Sequence, residues 1–117
     1  MGRKAKKEPV WNDCAYASIE VIRDCANGKF RSLVWRDEGI FLSTGSFQFN
    51  DHHRGMFEPL LMDKVTADMF LAAHDALDDE RRAKFVDWVA KDRGHFGAVF
   101  EMVQQAVSIV GFSSRSY

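Results

Sequence analysis

Residues 29–50, KFRSLVWRDEGIFLSTGSFQFN, set the strongest limit on the fold. The segment is rich in Phe, Val, Ile and Trp. Turn residues interrupt it at Asp37-Glu38-Gly39 and Thr44-Gly45. On both sides the apolar residues return at three- and four-residue steps, which is the period of a helix. A strand-forming centre between helix-forming flanks predicts an α+β domain. The expected order is one N-terminal helix, a small antiparallel three-stranded sheet in meander order, and three C-terminal helices packed on it. Three strands cover a core on one side only, so the helices must supply the rest.

The turns predict a register. A three-residue loop with Gly39 in the left-handed position sets Val34 opposite Leu42 and Trp35 opposite Phe41. A tight turn at Thr44-Gly45 sets Leu42 opposite Phe47 and Ile40 opposite Phe49. Val34, Ile40, Leu42, Phe47 and Phe49 then share one face. Leu33, Trp35, Phe41 and Gln48 share the other.

The first helix is expected over residues 12–26. Asn12 or Asp13 caps it, Asn27-Gly28 ends it, and its stripe is Trp11, Ala15, Ile19, Ile22 and Ala26. The second starts at Asp63 or Thr66 and turns Met69, Ala72, Ala73, Ala76 and Leu77 inward. The third starts at Asp78 or Asp79, runs to Asp92 and exits at Gly94. Its early acids and late bases, Lys91 and Arg93, suit the helix dipole. The fourth covers residues 95–110. Its main stripe is Phe96, Val99, Phe100, Val103, Val107 and Val110, widened by Ala98, Met102, Ala106 and Ile109. So wide an apolar arc calls for burial at the centre of the fold or cover from another chain, and a homodimer is one way to provide it.

With 117 residues, 46% apolar and 28% charged, the chain has the composition of one globular domain. We expect a basic arm at residues 1–9, the domain at 10–112 and a polar tail at 113–117. Arg3, Lys4, Lys6 and Lys7 are four of the 16 basic residues. From Glu8 onward, 12 basic residues face 17 acidic ones, a balance of −5. An acidic body is a poor general surface for nucleic acid, which leaves the arm as the place for phosphate contact. Cys14 and Cys25, if both lie on the first helix, stand roughly 16 Å apart, too far for a disulfide. That predicts a reducing, cytoplasmic setting. No apolar run approaches the roughly 20 residues of a membrane span, and the charged N-terminus precedes no apolar segment.

Asp51-His52-His53 carries metal-ligand chemistry and follows the predicted sheet. Its letters resemble the Asp-His-His motif of a phosphoesterase family, which also follows a strand. The resemblance covers three residues, and the further aspartate clusters those enzymes need have no counterpart here. His53 with His74-Asp75 is similar to the pattern of a second, all-helical metal phosphohydrolase family, in which two histidines and two carboxylates hold the ion that activates water. The last ligand stays open among Asp78, Asp79, Asp87 and Asp92. Against both resemblances, Asp51-His52-His53 reads as a solvated turn and His74-Asp75 as the polar edge of a helix. Neither cysteine has zinc-site spacing, and no Gly-rich phosphate loop, nucleophile elbow or H-E-x-x-H occurs. Residues 84–105 fit a helix-turn-helix poorly, because the second helix presents Phe, Val and Met where base-reading side chains belong.

We therefore expect no catalytic residues, no metal and no cofactor. The expected function is non-enzymatic binding of a larger protein or nucleoprotein complex, through Trp35, Asp37, Glu38, Phe41 and Met102. In general type the chain is similar to small acidic accessory proteins of phages and mobile elements, including anti-CRISPR-type inhibitors of bacterial defence complexes. The alternatives are a nucleic-acid-binding accessory protein using the arm and, more distantly, a metal-dependent phosphohydrolase.

Overall fold

The computed structural model describes the backbone of residues 10–110 and the side chains through residue 106. The expected arm and tail lie outside the described residues. The described residues form an α+β architecture of four helices, a three-stranded sheet and a separate two-stranded hairpin.

The chain opens on a strand, β1 (Cys14–Tyr16), and the first helix, α1, covers only Ile19–Ala26. This corrects the helix expected over 12–26. The side chain of Ser18 accepts the Val21 N–H at 3.1 Å and starts the helix there. Asp13 has φ 59°, and Asn12 accepts a hydrogen bond from Ser46 Oγ at 2.8 Å, so neither caps α1. Cys14 and Cys25 thus occupy different elements, and both are free. Burial, aided by the charge of Asp13, pushes the Cys14 thiol up to about 11.

α1 is a crossover. It returns the chain to β2 (Ser32–Val34), which pairs in parallel with β1, Ala15 opposite Leu33. The other edge of β2 pairs antiparallel with β5 (Leu60–Leu61), Leu33 opposite Leu60. The meander is therefore corrected, because β2 pairs with distant segments rather than with the next strand. Residues alternate across β2 and place it between two cores. Leu33 and Trp35 enter the helical core beside Ile22, Phe70, Phe85, Val89, Phe96 and Val103. Val34 enters a smaller aromatic core with Phe47 and Phe49.

The hairpin joins β3 (Gly39–Phe41) to β4 (Phe47–Phe49) with Gly39 opposite Phe49 and Phe41 opposite Phe47. The expected register is off by one residue. Leu42 and Ser46 close the loop, and Gly45 takes the left-handed conformation at φ 90°. A one-residue slip exchanges faces. Phe41 therefore joins Phe47 in an edge-to-face contact at 5.1 Å, while Ile40 points to solvent. Gly39 is not left-handed. A Cβ there would fall on the Gln48 carbonyl oxygen and lie 2.8 Å from Phe49 Cα, so close strand approach is what requires glycine.

The C-terminal helices are α2 (Lys64–Ala76), α3 (Asp79–Lys91) and α4 (Arg93–Val110). Asp63 and Asp78 cap the first two through the N–H groups of Thr66 and Arg81. The fully buried stripe of α2 is Ala67, Phe70 and His74; of the expected residues Met69, Ala73 and Leu77 pack half-buried against the core, while Ala72 and Ala76 are exposed. Asp92 ends α3 and starts α4, accepting the His95 N–H at 2.7 Å; Gly94 lies inside α4 rather than at an exit. No helix among the described residues is long and apolar enough to cross a membrane.

Candidate functional site

α3 and α4 are joined through Asp92 alone, so they pack as neighbours and leave a groove of about 340 Å³ between them. Leu77, Arg81, Lys84, Phe85 and Trp88 form one wall; Ala98, Val99 and Met102 form the other. The floor is built from buried Phe85 and Val99. On the α4 side the lining includes Ala98, a small and exposed residue. Met102 is 45% exposed and stands at the rim.

Among the described residues two cations edge this apolar trough and no carboxylate lines it. Lys84 Nζ lies 5.2 Å from the centre of the Trp88 ring, a cation–π placement. Arg81 reaches back to Asp78 at 3.1 Å, an exposed pair of small energy that a partner can displace. The Trp88 and His95 rings meet perpendicular to one another with centres 4.7 Å apart, and His95 is held by Asp92 at 2.8 Å. The hydrogen bond from the His95 backbone N–H, then that from its ring, holds the Asp92 carboxyl below its usual range.

Of the expected contact residues, Met102 lines this groove and the other four do not. Trp35 is 1% exposed, and its indole N–H donates to the Val89 carbonyl at 3.0 Å, so its place on a free sheet face is corrected. Its face of β2 is covered by the helices. Glu38, also 1% exposed, is corrected likewise. It receives Arg93 in a bidentate pair, Nε to Oε2 at 2.7 Å and Nη2 to Oε1 at 3.0 Å. Arg93 also donates to the Glu58 carbonyl at 3.0 Å and lies over Trp35 and Phe57, so the cluster ties the β2–β3 turn to the start of α4. Asp37 is exposed, with its carbonyl bound by Asn50 at 3.1 Å. Phe41 is half-buried against Tyr16 at 5.0 Å. Arg3, Lys4, Lys6 and Lys7 lie outside the described residues.

The histidines are placed by local partners. His53 Nδ1 is 2.6 Å from Asn50 Oδ1 and its ring stacks on Phe57, while Asp51 pairs with Arg54. The His52 and His53 rings stand 6.5 Å apart at 77°, so the adjacent imidazoles diverge. His74 is buried against Phe85 and bonds Asp75 at 2.9 Å; that bond is the main reason the Asp75 carboxyl is held low. Among the described residues no three His, Cys, Asp or Glu side chains converge to hold an ion.

Two arginines have structural roles that no local motif signals. Arg82 reaches back from α3 to the end of α2, donating to the carbonyls of His74 at 3.0 Å, Asp75 at 3.3 Å and Leu77. They lie at the helix end, where carbonyls lack the N–H of a following turn, although the His74 carbonyl also accepts the Leu77 N–H at 3.3 Å. Arg93 opens α4, where the dipole disfavours a cation, and the Glu38 carboxylate is what holds it there. For the groove, the available signal was Lys84 and Trp88 at four-residue spacing on one helix face. Comparison with family models, with curated proteins and with solved structures finds no match to this chain.

Proposed function

We propose that the protein is a non-enzymatic binding module whose contact surface is the groove between α3 and α4. The carrying observation is the groove itself: an apolar floor of Phe85 and Val99, a tryptophan wall, a half-exposed methionine and a cationic edge. Tryptophan, methionine and arginine are the residues enriched at interaction surfaces, and a preformed trough lets a partner bury them without reordering the fold. Several titratable groups have partners within the fold: Glu38 with Arg93, His74 with Asp75, His95 with Asp92 and His53 with Asn50. The partner we propose is a larger protein or nucleoprotein complex, of the kind that accessory proteins of phages and mobile elements act on.

The test is affinity capture from the source cells with three forms of the protein. Wild type and Leu61→Lys, a substitution at an 82% exposed residue outside the groove, should retain the same partner. Met102→Asp should lose it while keeping the wild-type circular dichroism and melting temperature. Equal capture by all three forms moves the contact surface away from the groove.

A further inference from the structure

We infer that the groove takes an amphipathic helix of acidic character from the partner protein, its apolar side chains on the floor and its carboxylates at Arg81 and Lys84. The inference rests on the function proposed above and specifies the chemistry of the partner. Shape comes first. The α3 wall extends from Arg81 to Trp88, roughly 10 Å along the helix, or about two turns, with Leu77 closing its end. The volume of about 340 Å³ is roughly twice that of a cavity that holds a benzene-sized group. Two large apolar side chains therefore fit, and neighbours at i and i+4 on a helix have the matching separation of roughly 6 Å.

Backbone hydrogen bonding selects the same occupant. Both walls are helices, whose N–H and C=O groups are bonded internally, so the groove offers no ladder to an extended peptide. A strand pressed into it would bury its own polar backbone unpaired. A helix arrives with those groups already satisfied and packs into the furrow as a third helix.

Charge selects the sign. Among the described residues the lining carries Arg81 and Lys84 and no acid. The chain's own basic arm, with Arg3, Lys4, Lys6 and Lys7, has the wrong sign to fill it. Nucleic acid has the right sign but gains nothing from a floor of Phe85 and Val99, because its affinity comes from phosphate contacts. An acidic helix satisfies the floor and the rim together.

The test uses fluorescein-labelled helical peptides of about 16 residues, long enough to form helix in water. One has Leu or Phe at i, i+4 and i+7 with Glu flanking them; the other has Lys in place of each Glu. Fluorescence anisotropy with the full chain at low salt should show the Glu peptide binding roughly tenfold more tightly, the sum expected of two exposed ion pairs. Arg81→Glu with Lys84→Glu should reverse that order, and Met102→Asp should weaken both peptides. Equal affinities, an order that survives the charge reversal, or no saturable binding of either peptide overturns the inference. So does tighter binding of a labelled single-stranded oligonucleotide that Met102→Asp abolishes. A concentration-dependent dimer in sedimentation, returned to monomer by Met102→Asp, assigns the groove to a second copy and also overturns it. Partner capture separates the two levels. If Met102→Asp abolishes capture and the charge reversal does not, the groove stands and the acidic helix falls. If Met102→Asp leaves capture intact, the proposed function itself fails.

Discussion

Removing Arg93 should unlatch the fold at the junction of β2, β3 and α4. The Glu38 side chain is 2% exposed and receives two guanidinium bonds at 2.7 and 3.0 Å; the Arg93 side chain is 24% exposed. Arg93→Ala leaves that carboxylate buried without a cation, uncovers the faces of Trp35 and Phe57, and frees the Glu58 carbonyl. Breaking a buried pair by deleting one partner costs about 3–5 kcal/mol. Against the roughly 5–15 kcal/mol that holds a domain together, this is a large share. At about 4 °C per kcal/mol for a chain of this size, the melting temperature should fall by about 12–20 °C. Urea denaturation followed by circular dichroism avoids the fluorescence change expected at Trp35 itself. The double change Glu38→Leu with Arg93→Met removes both charges and should recover most of the loss, since an apolar replacement of similar volume is often neutral. A loss below about 1 kcal/mol for Arg93→Ala would refute the reasoning, because it would mean that the pair is solvated and the latch is a surface contact.

Two further outcomes test the local account. Ser18→Ala should cost about 1 kcal/mol in the urea midpoint, the usual worth of an N-cap, whereas a helix running through residues 12–26 would make the change neutral or stabilising. The carboxyls of Asp63, Asp75 and Asp92 sit below the ordinary 3.8, each chiefly through a hydrogen bond, from the Thr66 N–H, the His74 ring and the His95 N–H respectively. The unfolded chain therefore binds more protons in that range. Melting temperature should rise with pH up to about 4 and be lost as pH falls through the depressed values; Asp92→Asn should flatten part of that slope.

What was legible in the sequence follows the range of the interactions involved. Asp63 and Asp78 cap their helices through N–H groups three residues away, and the α3 and α4 stripes recur within two turns, so the C-terminal half could be read locally. The N-terminal half is decided at a distance. Trp11 to Ala15 fits a helical stripe, yet β2 lies 18 residues on, Cys14 opposite Ser32, and captures the segment as a parallel strand. Ser18 was the visible warning, a good cap set in the middle of a supposed helix. The hairpin register turned on whether Thr44-Gly45 or the longer loop with Gly45 left-handed closed it, and one residue reversed the faces. The expected contact surface failed for a separate reason, because Trp35 and Phe41 were paired across β2 and β3, which lie in different sheets. The site was legible only in part. Met102 stood out on an apolar arc too wide for the core, but the groove beside it depends on how α3 and α4 fold back, which no spacing encodes.

The claim that the α3–α4 groove is the contact surface is tested most directly by methyl NMR on the protein labelled at methionine. Met56 and Met102 are both exposed, and Met62 is buried in the helical core. On titration with the captured partner, the Met102 methyl should shift and broaden at substoichiometric ratios while Met56 and Met62 hold their positions. A shifted Met56 beside an unmoved Met102 would contradict the account and place the contact on the turn that follows the hairpin.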